Sequence, residues 1–278
     1  MTEIREIVVN GVRSPVRCAG DQARDEAIVF VHGNPGASDD FADLLPRVGT
    51  FARAIAPDMP GYGKADRPPD FDYTIEGYAR HLDGILEQLG IRRIHFVLHD
   101  YGCPWGLQWA VDHPERVASF VLMNMGVMPG YRWHKFAKIW RTPVLGEIFM
   151  ATASRTALRV LMNADNPKPF PETMLDRIWR DFDRGHWRAV LKLYRATPDA
   201  KMGSNALAPA LKAMRRPALV LWGEGDRYLS AKYAERQKEF FDAEVHTLPG
   251  CGHWPMVDEP QRVAELVMPF LRKQLKLG

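Results

Sequence analysis

Up to about residue 125, short apolar runs alternate with stretches whose apolar positions recur at helical spacing, the pattern of a mostly parallel sheet covered by helices. Residues 6–9 and 12–17 flank Asn10-Gly11, a turn pair that tolerates positive φ, so the chain is predicted to open with an antiparallel hairpin. Buried strands are predicted over 27–31, 53–56, 94–98 and 117–123, where β-branched and apolar residues run together. Ahead of the run at 94, Ile75, Tyr78, Leu82, Ile85, Leu86 and Leu89 keep one helix face apolar, with Thr74 placed to cap its start and Gly90 its end.

After Asn124 the pattern changes. Residues 127–210 are helical in spacing, rich in Trp, Arg and Met, and carry no strand pattern. Strands resume over 217–222 and 244–248, and Val263, Leu266, Val267 and Leu271 mark a closing helix. Because parts of one sheet flank the helical stretch, it is predicted to be an insertion: a core of 1–126 and 211–278, with a helical cap over 127–210.

Composition narrows the class. With 278 residues, 46% hydrophobic and 26% charged, the chain matches a soluble globular protein, which excludes collagen, coiled coil and disorder. The formal charge of +3 is dispersed, so neither a nucleic acid nor a membrane surface is expected as partner. Three scattered cysteines argue for a reducing compartment, and the charged start MTEIREIVV lacks the apolar stretch of a signal peptide. A cytoplasmic protein is expected, monomer or homodimer.

The chemistry is concentrated at strand ends. Phe96-Val97-Leu98-His99-Asp100-Tyr101-Gly102 reads as a strand, a sharp turn and a helix start, which exposes the apex residue, and that residue is Asp100. No frame shift finds a serine or cysteine: Gly102-Cys103-Pro104-Trp105-Gly106 has proline at its centre. A carboxylate nucleophile forms an ester with an alkyl carbon, so the site also needs a base for water and donors for an oxyanion. His253, in the glycine-rich loop after the last strand, supplies the base, and Asp226, after the preceding strand, orients it. The backbone N–H groups of Asn34 and Tyr101 are the expected oxyanion donors. Asn124 stands at the end of the sixth strand as an uncharged amide, His99 as a buried neighbour and His32 as a brace for the oxyanion loop. Cys103 and Cys251 are expected to form small apolar wall beside the site.

In the order of elbow, acid and histidine, each after a strand, the chain resembles the α/β-hydrolase superfamily, and its Asp100 resembles the aspartate-nucleophile branch that holds epoxide hydrolases and haloalkane dehalogenases. The resemblance implies an eight-stranded, mostly parallel sheet, a lid between the sixth and seventh strands, and neither cofactor nor metal. Epoxide hydrolases of this kind hold the departing oxygen with two lid tyrosines, or a histidine and a tyrosine. The resemblance carries this over to Tyr194, with Tyr131 ahead of His134 as its partner. Dehalogenases hold a halide with two N–H donors: Asn34 and Leu98 match their pattern, whereas Tyr101 stands where they carry tryptophan. In a related fluoroacetate dehalogenase that place is an arginine, so an acidic substrate is not expected. The expectation is an epoxide hydrolase for a small apolar substrate; the alternatives are a dehalogenase with a halide site of Asn34 and Tyr101, or a non-catalytic ligand-binding relative.

Overall fold

The computed structural model describes residues 2–198 and 202–277; positions 199–201 of the expected cap lie outside the described residues. Eight strands, β1 (Thr2–Val9), β2 (Val12–Ala19), β3 (Glu26–Val31), β4 (Arg53–Pro57), β5 (Arg93–His99), β6 (Val117–Met123), β7 (Pro217–Gly223) and β8 (Asp242–Leu248), form one sheet in the order β1-β2-β4-β3-β5-β6-β7-β8. β2 runs antiparallel to both of its neighbours and all other pairs are parallel. The opening hairpin is longer than its apolar run suggested, starting at Thr2, because β1 pairs along its whole length from Thr2↔Ala19 to Val9↔Val12. At a sheet edge the ladder needs no buried face, and Ile4 and Val8 are exposed there.

Helices α1 (Leu44–Val48), α2 (Ile75–Gln88), α3 (Gly102–Asp112), α4 (Lys135–Arg141), α5 (Leu145–Ala151), α6 (Arg155–Ala164), α7 (Glu172–Asp181), α8 (Arg184–Ala196), α9 (Ala208–Met214), α10 (Pro255–Asp258) and α11 (Pro260–Gln274) cover it. The apolar stripe of α2 packs with Trp105 and Trp109 of α3 on one face of the sheet. On the other face, Leu45 and Val48 of α1 meet Val263, Val267 and Leu271 of α11. As the sequence indicated, the Thr74 hydroxyl accepts from the Gly77 N–H at 3.0 Å and Gly90 takes φ +65°.

Among the described residues no strand lies between β6 and β7; α4 to α9 lie in that interval. The turn over 202–207 and α9 lie against α3. Among the ties that hold the helical segment to the core, two involve buried polar groups. The Arg177 guanidinium of α7 pairs with the buried Asp40 carboxylate. In the strap between α6 and α7, the Asn166 side-chain N–H donates to Asp258 at 2.8 Å, and the same carboxylate accepts the Gly252 N–H at 2.7 Å.

Candidate active site

β5 ends at His99 and α3 begins at Gly102, so Asp100 occupies the turn between them, at φ +48°. That backbone region is disfavoured for a residue with a Cβ, and it is tolerated where the surroundings fix it. Two glycines make room. A Cβ on Gly102 would sit 2.1 Å from the Val31 carbonyl oxygen, and one on Gly33 would sit 2.3 Å from Cβ and 2.4 Å from Oδ1 of Asp100. The Asn34 N–H donates to Asp100 Oδ1 at 2.7 Å, while Tyr101 opens α3, where first-turn N–H groups find no helical partner. His32 donates from Nδ1 to the Gly33 carbonyl at 2.9 Å and accepts the Met59 N–H at Nε2, which braces this loop.

His253, from the loop after β8, places Nε2 3.2 Å from Asp100 Oδ2 and Nδ1 2.7 Å from Asp226 Oδ2. Asp226 is held in turn: Asn124 Nδ2 donates to Oδ2 at 2.7 Å, and the Tyr228 and Leu229 N–H groups donate to Oδ1. Burial works against a charged imidazole, but the Asp226 carboxylate and the bond to Asp100 outweigh it and raise His253 to about 10. Burial likewise works against a charged Asp100, and the bond and charge of His253 bring it down to about 2. Both shifts favour a charged His253 ring facing a charged Asp100 carboxylate at rest. His99 donates from Nε2 to the His253 carbonyl at 2.7 Å and is kept neutral by burial, at about 4.

Above Asp100 lies a cavity of about 240 Å³. A 150 Å³ apolar cavity holds benzene, so this one has room for a ring with substituents. Its polar groups gather at the floor around Asp100, Asn34, His253, His134, Tyr194 and Tyr228, and its walls are mostly apolar, among them Phe136, Phe149, Leu158, Leu161, Ile178 and Phe182.

Tyr194 of α8 reaches this floor, and its hydroxyl oxygen accepts from Asn34 Nδ2 at 3.3 Å. His134 lines the cavity as well. It caps α4 by accepting the Ala137 N–H at Nδ1, 3.3 Å, which leaves the ring proton on Nε2, and burial keeps it neutral at about 4. Tyr131, expected ahead of His134 as the partner of Tyr194, does not line the cavity, and its hydroxyl accepts the His134 backbone N–H at 3.3 Å. Asn34 and Tyr101, the pair expected to hold a halide, both line the cavity. The Tyr101 ring faces the cavity, but its hydroxyl oxygen is sealed within protein beside Thr197. The indole nitrogens of Trp140 and Trp254, both wall residues, are sealed in the same way.

Sequence reading missed Tyr228 and His186. The Tyr228 ring stands edge-on to both His253 and His134, with centroids 5.3 Å from each. Its signal was its place two residues after Asp226, whose carboxylate folds the turn back over the site. His186 contributes to the far wall and bonds the Gly61 carbonyl at 3.0 Å. Cys103 and Cys251 are buried free thiols. Among the described residues no three His, Cys, Asp or Glu side chains gather into a metal-ligand set, and no helix is long and apolar enough to cross a membrane.

The sequence profile of a family described as the α/β hydrolase fold matches residues 26–260. A 2-hydroxy-6-oxononadienedioate/2-hydroxy-6-oxononatrienedioate hydrolase of Paraburkholderia phymatum is 30% identical over 269 residues, 90% of this chain and 88% of that protein. The solved haloalkane dehalogenase DatA of Agrobacterium tumefaciens C58 superposes with a TM-score of 0.82 at 25% identity, over 98% of this chain and 97% of that one. The epoxide hydrolase CorEH superposes at 0.83 with 18% identity, over 98% and 99%, a likeness of fold alone.

Proposed function

Since the chain belongs to the α/β hydrolase fold family and carries a carboxylate where that fold turns out its nucleophile, we propose that this hydrolase opens apolar epoxides to vicinal diols. One observation carries the reading. Asp100 shares its cavity with two neutral residues that can give a proton, Tyr194 and His134, whereas the phenol oxygen of Tyr101 and the indole nitrogens of Trp140 and Trp254 are sealed within protein. An alkoxide leaving group needs a proton or a strong hydrogen bond as it departs, which the Tyr194 phenol can give; a halide needs only N–H donors such as Asn34 Nδ2, so the phenol is what favours the epoxide.

In the first step Asp100 Oδ2 attacks an epoxide carbon, the C–O bond breaks, and the ring oxygen is received by Tyr194 and His134. Oδ1 stays on the Asn34 N–H and becomes the ester carbonyl oxygen. In the second, His253, having released its resting proton to solvent once Asp100 is an uncharged ester, takes a proton from water; the hydroxide attacks the ester carbonyl carbon, and the diol leaves with Asp100 regenerated as carboxylate and His253 as imidazolium. Attack by Asp100 on a substrate carbonyl would instead give a mixed anhydride, so the nucleophile favours a saturated carbon over the acyl chemistry of carbon–carbon bond hydrolysis.

The test is incubation with a styrene-type epoxide and, separately, a bromoalkane, with diol and halide measured. Diol is expected from the epoxide. Asp100→Asn should abolish it, and Tyr194→Phe should slow ring opening by about 10²-fold or more, the usual worth of a positioned acid. Halide release without diol would overturn the assignment.

A further inference from the structure

Asn34 is tied to the site at two atoms. Its backbone N–H holds Asp100 Oδ1 at 2.7 Å, and its side-chain Nδ2 donates to the Tyr194 hydroxyl oxygen at 3.3 Å. Both side chains are buried, at 8% and 3% exposure, so the amide bond to the phenol is made away from water. A phenol oxygen that accepts this bond keeps its own O–H free to donate, and the Tyr194 ring is otherwise packed against the rings of Tyr101, Trp133, Trp140 and His134.

We propose that Asn34 is a positioning residue for ring opening, holding Tyr194 so that it gives its proton to the departing oxygen and receiving the phenolate that results. This rests on the epoxide reading. As Asp100 Oδ2 bonds to carbon, the C–O electron pair passes to the ring oxygen, which takes the Tyr194 proton; the phenolate charge meets Asn34 Nδ2–H and is discharged by a proton from solvent after the diol leaves. An alkoxide is far more basic than a phenolate, so the transfer runs downhill. The same residue thus joins the nucleophile's oxyanion side to the leaving group's acid, and movement of its loop disturbs both together.

The experiment is a double-mutant cycle in single turnover, with ester formation and ester hydrolysis followed separately. Asn34→Ala keeps the backbone N–H, so it should slow ester formation about tenfold, the worth of a hydrogen bond to a developing charge, and leave ester hydrolysis within about twofold. In a Tyr194→Phe background the same substitution should cost less than about twofold, since the atom it serves is gone. Equal losses in both backgrounds, or equal losses in both half-reactions, would overturn the proposal. Asn34→Gln, which retains an amide donor, should recover part of the loss if the fold of the loop survives, and circular dichroism of each variant distinguishes unfolding from loss of this bond. Wild-type protein that makes no diol at all would remove the functional reading and this inference with it; diol production with additive losses removes the inference alone.

Discussion

His253 sits as an imidazolium between Asp100 and Asp226, yet the second half-reaction needs it as a base, so alkylation of Asp100 must itself lower its proton affinity. Asp100→Asn reproduces the charge loss of the ester without changing the side chain's size. A unit charge about 4 Å away at an effective dielectric near 20 is worth about 4 kcal/mol, or about 3 pK units. The variant's His253 should therefore fall from about 10 toward neutrality, while Asp226 at 2.7 Å still holds the ring in place. NMR titration of the His253 Cε1–H in both proteins measures this directly. A His253 that still titrates near 10 in Asp100→Asn would show that Asp226 alone holds the proton, and ester formation could not then create the base. Stability follows the same charges. The raised His253 contributes stability that is complete below its ordinary 6.5 and lost as pH rises through about 10; the lowered Asp100 contributes above 3.8 and loses it as pH falls through about 2. In Asp100→Asn the alkaline loss should move toward neutral pH.

Two further substitutions test the packing. In Gly33→Ala the new Cβ would overlap Asp100 at 2.3 Å; a displaced carboxylate should cost about 10²-fold in ester formation, and a variant of undiminished rate would refute the close approach. Arg177→Met leaves Asp40 buried without its cation, which should cost about 3–5 kcal/mol, read as a fall in Tm of roughly 2–4 °C per kcal/mol. Adding Asp40→Asn should return much of it, and an unchanged Tm in the single variant would show that the pair does not hold the cap.

The core of this site was legible because its chemistry is tied to punctuation in the sequence. Asp100, Asp226 and His253 each follow a predicted strand with a glycine within two residues, and sheet order brings β5, β7 and β8 together with only β6 between the first two. The cap was legible only as helix. Tyr131 and His134 lie three residues apart just before α4, and no pattern says which faces inward. The decision is local: His134 spends its Nδ1 on the cap of α4 and keeps its ring proton on Nε2, and its backbone N–H donates to the Tyr131 hydroxyl. Indole direction is equally invisible to hydrophobic spacing, so Trp140 reads the same whether its N–H faces substrate or protein.

The neutrality of the cap donors is what lets them share a cavity with Asp100. A protonated His134 would be a second cation near the nucleophile and would compete with His253 for its charge, weakening the attack it is meant to assist. Burial prevents this by holding His134 at about 4, and it also pushes the Tyr194 hydroxyl well above its ordinary value, so the phenol stays protonated until a stronger base appears. The alkoxide formed on ring opening is such a base, and a departing halide is not. A cavity whose donors are neutral at rest and able to give a proton on demand is thus matched to a leaving group that becomes basic only as its bond breaks.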